Sequence, residues 1–319
     1  MTGLGPLTVV TLLAVPAFGI AYARGRKEHG RGWRDFTFAA GLIIALASST
    51  WPLEHLARHH FDLHQAMFLG LRIAGPMLIA LSHPAGTLLR GTPRGVRGAL
   101  IAPALRNRTV REGWRLVRMP PAALGLYLGT LFAWSVPAWQ DAALLMPAIA
   151  LLLHLSMFLA GMVFWTRIFD RRPAPHGLRH GVRLMMLWLA ILGQILVGSA
   201  TTLKSVPWYP GYAAVPVPIL DLMRDEMVGG FLLWIPSSLV TLLGLIAVVD
   251  MWGRHETRMD ARRTAWSPSN SAILLYPTSS EGLRTMAQPK NRVLALSMAL
   301  FALFILSATL LVGLGYRYL

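Results

Sequence analysis

Two histidine–methionine pairs carry the chemistry this sequence offers: His64 with Met67, and His154 with Met157. Each pair is spaced i, i+3, which puts imidazole and thioether on one helix face. Met223 and Met227 lie one turn apart, with Asp225 and Glu226 between them. Imidazole nitrogen and thioether sulfur together suit cuprous ion. The chain has no cysteine, which excludes disulfides, thiolate ligands and a cysteine nucleophile. Both histidines fall in apolar runs, where an ionisable side chain is costly unless it faces a protein interior or a cavity. Each also has a plain structural reading. His64 can cap its helix or bond a neighbouring loop, and His154 can bond a polar residue of another helix, such as Gln194 or Ser199.

Other polar residues read more simply. His83, just before Pro84, reads as a helix terminus, whereas Gly75-Pro76 predicts a kink that can line a cavity. Asp225 stands where a helix begins, so it can cap that helix and bond a partner. Trp139, Trp208 and Tyr209 fit interfacial anchors, and Met185, Met186 and Met298 fit packing. There is no P-loop, no His-Glu-x-x-His, no dinucleotide glycine fingerprint and no nucleophile–histidine–acid set, so no enzyme activity is expected.

Apolar runs must position these residues. Of 319 residues, 55% are hydrophobic and only 14% charged, against about a quarter charged in soluble domains. Runs near the ~20 residues that cross a bilayer recur along the chain. The expectation is an all-α integral membrane protein of about eight transmembrane helices. The spans are Leu4 to Ala23, Phe36 to Trp51 with Leu53 and Leu56 extending it, Leu63 to Leu81, Pro120 to Trp139, Ala142 to Phe169, Val182 to Leu203, Val228 to Met251, and Val293 to Gly315.

The net charge of +16 resides in four clusters, after spans one, three, five and seven, that hold 25 of the 30 lysines and arginines. This alternation is the positive-inside pattern: the basic loops face the cytoplasm and both termini face outward. Nucleic acid is excluded as a partner, because no aromatic-interleaved basic module accompanies the arginines. Contact of the basic loops with anionic lipid is expected. The outer loops hold Glu54, His55, His59, His60 and Asp62 in one stretch, and Trp208, Tyr209, Tyr212, Asp221, Asp225 and Glu226 in another. With no internal repeat or matching halves, the chain reads as one membrane domain over 1–319.

The order of these features resembles the CtaG-like family of cytochrome c oxidase assembly factors, from about Trp51 to Trp252. The resemblance rests on Trp51-Pro52-Leu53-Glu54, then His64, Ala74-Gly75-Pro76 and Pro84 with Leu88-Leu89-Arg90. It continues in Leu153-His154-Leu155-Ser156-Met157-Phe158, in Gly198 with Tyr209-Pro210-Gly211-Tyr212, and in Asp225-Glu226-Met227-Val228-Gly229-Gly230 with Trp234-Ile235-Pro236. Two family positions differ: a second histidine falls at Phe68 and an acid before the other histidine falls at Leu153. Met67 and Met157 are the candidate replacements.

The resemblance implies a core of about six helices over 36–252, with flanking helices and cytoplasmic basic segments at 1–35 and 253–319. It implies a multi-pass protein of the bacterial inner membrane that helps mature a haem–copper oxidase. Cytochrome c oxidase subunits are then partners, with a periplasmic copper chaperone as a further candidate. The expected cargo is Cu(I), on ligands drawn from His64, Met67, His154, Met157 and Met227, with Asp225, Tyr209 and Trp234 around them. Two other classes stay open: a haem- or quinone-binding redox subunit with His64 and His154 as ligands, and a permease for copper or a small solute.

Overall fold

The computed structural model describes residues 5–26, 32–50, 52–172, 177–214 and 221–265, with shorter stretches between 279 and 307. Among these residues there is no strand, as expected where backbone groups must be satisfied without water. The main helices are α1 (Pro6–Gly25), α2 (Gly32–Ser49), α3 (Phe61–Ser82), α4 (Arg108–Val117), α5 (Pro120–Trp134), α6 (Pro137–Leu145), α7 (Pro147–Ile168), α8 (His180–Thr202) and α9 (Leu222–Ala265). Proline opens α1, α5, α6 and α7, where its fixed φ suits the first turn and its missing N–H has no intrahelical partner to lose. Leu152, Leu159, Trp188 and Leu196 point outward, as side chains facing acyl chains do.

The molecule is an all-α membrane protein, but the helices differ from the eight expected. Among the described residues five are long and apolar enough to cross a bilayer: α1, α3, α7, α8 and the apolar part of α9. A sixth arises only if α4 and α5, bent by 73°, count as one. The fifth expected span, Ala142 to Phe169, is broken at Met146, because Pro147 starts a new helix and leaves α6 separate. The second carries Arg34 and Asp35 in its first turn, and the fourth ends at Trp134 after 15 residues. The eighth, Val293 to Gly315, lies largely outside the described residues.

The helices run so that two ends differ in chemistry. At one end Arg90 Nε donates to the Gly25 carbonyl at 3.2 Å, Arg171 Nε donates to His83 Nε2 at 2.8 Å, and Arg118 reaches Asp170 at 3.0 Å. At the other, Thr8 bonds the Ser49 carbonyl, Tyr209 bonds the Ser135 carbonyl, and Gly211 N–H bonds Asp141. His83 ends α3 in the left-handed region, φ 54°, as the helix-terminus reading expected.

The kink expected at Gly75-Pro76 takes a specific form. Pro76 has no N–H for the Arg72 carbonyl, and the helix accommodates it with a π-helical stretch at Leu69–Ala74. The Arg72 carbonyl then abuts α7 at Gly161, where a Cβ would lie 2.3 Å from it, so only glycine fits there. The most extensive pairing among the described residues is α8 on α9, which cross where Gly198 and Gly230 put backbone against backbone. That crossing sets the start of α9, and with it Asp225 and Glu226, against α3.

Candidate metal site

His64, one turn into α3, meets His154 of α7 inside the bundle. Their Nε2 atoms are 3.2 Å apart, and both side chains are buried. The predicted juxtaposition is therefore present. The partner offered by the structural reading of His154 is not: Gln194 instead bonds the Tyr127 hydroxyl and Thr241, both at 3.3 Å. Met67, fully buried, lines the same small cavity of about 40 Å3 together with His64 and His154. Leu151, Ala150 and Pro147 form its α7 wall, and the Glu54–Arg58 ion pair stands at its mouth.

Hydrogen bonds tie the two imidazoles into one network. His64 Nδ1 contacts the Tyr212 hydroxyl, and Gln140 Nε2 lies 3.4 Å from that nitrogen and 3.3 Å from the Tyr212 oxygen. An amide N–H can only donate. The consistent chain is Gln140 N–H to Tyr212 oxygen, Tyr212 O–H to His64 Nδ1, and His64 Nε2–H to the lone pair of His154 Nε2. His154 then carries its proton on Nδ1, for which no hydrogen-bond partner is present among the described residues. In this arrangement both rings are neutral, the form that binds a metal ion.

A carboxylate anchors this assembly. Asp225 accepts the N–H groups of Phe61 at 2.7 Å and Asp62 at 3.0 Å, capping the first turn of α3. The sequence expectation that it caps its own helix is corrected here. Asp225 already lies in the first turn of α9, and the orphan donors within its reach belong to the neighbouring helix. Glu226 does similar work on the loop, accepting from Trp208 N–H and Tyr209 N–H, each at 2.9 Å, and pairing with Lys204. Tyr209 stacks on Phe61 at 4.4 Å, so this loop covers the histidine site. The sequence suggested an interfacial anchor, whereas the structure shows Tyr209 buried in protein as a strut.

The remaining expected residues separate from the pair. Met157 is buried in an apolar cluster with Phe68 and Leu153 and does not line the cavity. Met227 does not line it either; its carbonyl receives the Thr202 hydroxyl at 3.4 Å. Trp234 packs at the Gly198 crossing, away from the histidines. Phe68, where the family pattern has its second histidine, lies with its ring 4.4 Å from His64 and 5.9 Å from His154. That position borders the pair and presents hydrocarbon to it.

Sequence reasoning missed Gln140 and Arg72. Gln140 falls between the fourth and fifth expected spans, and no local pattern marks it. Arg72 had a signal: an ionisable residue in an apolar span is a functional candidate by default. It is buried, with its guanidinium 4.7 Å from the centroid of the Tyr127 ring.

The family model for the cytochrome c oxidase caa3 assembly factor matches residues 17–255, extending the resemblance on both sides. The chain belongs to the family of cytochrome c oxidase caa3 assembly factors. It is similar to an uncharacterized protein of Mycobacterium bovis and to one of Mycobacterium tuberculosis, each 22% identical over 268 residues, 79% of this chain and 40% of the relative. A protein of Mycobacterium leprae is 21% identical over 267 residues, 80% of this chain and 40% of its own length. The chain thus spans about two fifths of these relatives. No solved structure matches it.

Proposed function

We propose that this protein holds Cu(I) between His64 and His154, with Met67 as third ligand, and passes it to a nascent haem–copper oxidase. The observation that carries the reading is the buried Nε2 pair. Two nitrogens 3.2 Å apart can share one ion at about 2.05 Å from each, with an angle of roughly 100° between them. Such an angle leaves room for a third ligand, and Met67 is the thioether on the cavity wall. Neutral imidazole and thioether favour a soft monovalent ion and hold Zn(II) less well. A cavity of about 40 Å3 takes an ion and excludes a porphyrin or quinone ring, which favours this reading over a redox subunit.

Loading needs one rearrangement. The proton on His64 Nε2 must leave for the metal to bind there, and Nδ1 must gain one. The Tyr212 hydroxyl can turn from donor to acceptor as this happens, so the ring stays neutral and held. The positive-inside pattern puts the arginine-rich end in the cytoplasm and the histidine end at the outer face, where the Tyr209–Tyr212 turn gates the site.

The test is anaerobic Cu(I) binding by the purified full chain. One ion per chain is expected, with retention below a tenth of that in His64→Ala/His154→Ala and no change in His83→Ala. Undiminished stoichiometry in the double variant rejects the copper site while leaving the family membership intact.

A further inference from the structure

At the end opposite the histidines, α4 carries two parallel stripes. Arg111, Arg115 and Arg118 follow at i, i+4, i+7, and so do Val110, Trp114 and Val117, one residue earlier in each case. No residue of α4 is buried, and Trp114 is 53% exposed. The 73° bend into α5 turns α4 across the direction of α5, the attitude of a helix lying along an interface. Beneath it is a basin of about 460 Å3 lined by Arg111, Arg115 and Arg118, by Trp114 of the apolar stripe, and by Arg167 and Arg172.

Charge in this basin is lopsided. Asp170 holds three of its guanidinium groups: Arg172 at 2.8 Å, Arg118 at 3.0 Å and Arg167 at 3.3 Å. Arg111 and Arg115 have no acidic partner among the described residues, because Glu112 of the same helix pairs with Arg108. Five guanidinium groups therefore face one carboxylate, a surplus of four positive charges. Three of the five are held in place by Asp170 before any ligand arrives. Such preorganised forks suit the oxygens of a phosphate.

From this juxtaposition we infer that the basin is a binding site for one anionic phospholipid, whose phosphate sits between Arg111, Arg115 and the Asp170-held arginines while its acyl chains lie along Val110, Trp114 and Val117. The adjoining apolar stripe favours a lipid over free phosphate, since inorganic phosphate has no use for that hydrocarbon. A general attraction of basic loops to the membrane surface would need no basin.

The experiment uses the full chain in uncharged detergent, titrated with phosphatidylglycerol, phosphatidylcholine or inorganic phosphate, and read by native mass spectrometry and by thermal stabilisation. Saturable binding of one phosphatidylglycerol is expected, at least tenfold tighter than phosphatidylcholine and without competition from millimolar phosphate. Arg111→Gln/Arg115→Gln should weaken it tenfold or more, whereas Arg94→Gln/Arg97→Gln, an equal charge loss in the same basic segment, should not. Should the first variant misfold, Arg111→Lys/Arg115→Lys keeps the charge and loses the fork, and a severalfold loss is expected. Equal weakening in the two glutamine variants would overturn the site in favour of diffuse attraction. Full competition by inorganic phosphate would overturn the lipid.

Discussion

The two ends of this bundle handle polarity in opposite ways. At the histidine end the buried groups His64, His154, Gln140 and Tyr212 are neutral, and their hydrogen bonds run in one direction through the cluster. At the arginine end charge is kept, but it stays in a solvent-open basin around a single acid, Asp170. The difference follows from desolvation: a neutral donor needs only a partner, whereas a buried ion needs a counter-ion and still loses its hydration. A site that is to receive a cation gains from neutral ligands, and one that is to receive an anion gains from uncompensated cations. Some charge is buried even so: Asp225 and the Lys204–Glu226 pair lie near the histidines, held by backbone N–H groups and by each other, and Arg72 lies inside a span against the face of Tyr127.

The largest effect expected is at the histidine pair. His64→Ala/His154→Ala should abolish Cu(I) retention with the helical content unchanged by circular dichroism, because no folded-state ion pair is broken. Tyr212→Phe comes next. It keeps the ring against Phe61 and removes the hydroxyl that orients His64, a kind of partner whose loss lowers metal affinity about 10–100-fold. A competition titration against a Cu(I) chelator measures the shift, and an unchanged affinity would mean that Tyr212 only packs.

Much of this architecture was legible in the sequence, for reasons that differ by residue. The apolar runs of α1, α3, α7, α8 and α9 are set by bilayer thickness, which acts on composition and so shows in it. The meeting of His64 and His154 was legible because an ionisable side chain in an apolar helix is rare and must face a protein interior. The break at Pro147 was missed by treating hydropathy as continuous where proline had already imposed a helix start. Gln140 and the pairing of Asp225 with α3 were not legible. Phe61 and Asp225 are 164 residues apart, and nothing local states which helix end an acid will cap. The separation of Met157 and Met227 from the cavity likewise depends on helix rotation, which a spacing of three residues does not fix.

Asp225→Asn probes that pairing with a smaller effect. Both carboxylate oxygens accept backbone N–H groups, and an amide can supply only one acceptor, turning an N–H toward an N–H at the other. A buried donor left without its acceptor costs about 1–3 kcal/mol, so the thermal midpoint in detergent should fall. The His64 site should loosen with it, since the first turn of α3 carries that residue. A drop in stability with unchanged Cu(I) affinity would show that the cap and the site are uncoupled.

The smallest effect expected is at Asp170, and it has the opposite consequence for ligand binding. Burial raises its pKa, but the hydrogen bonds and charge of Arg172, with the charge of Arg118, more than offset this and bring it down to about 2 from 3.8. A carboxylate with a depressed folded pKa contributes stability that is complete above the unfolded value and is lost as pH falls through the folded one. The window is therefore about pH 4 down to pH 2, and between pH 7 and 5 this group should leave the thermal midpoint unchanged. Asp170→Asn mimics protonation at every pH. It should cost about 1 kcal/mol at pH 7, a figure reduced for the solvent around Arg172, and remove the step below pH 4. The same change raises the basin's surplus from four charges to five, so phosphatidylglycerol should bind as tightly as before or more tightly, while the arginines lose their scaffold. If binding instead collapses as far as in Arg111→Gln/Arg115→Gln, the preorganisation by Asp170 outweighs its negative charge, and the arginine end depends on a buried anchor just as the histidine end depends on Asp225.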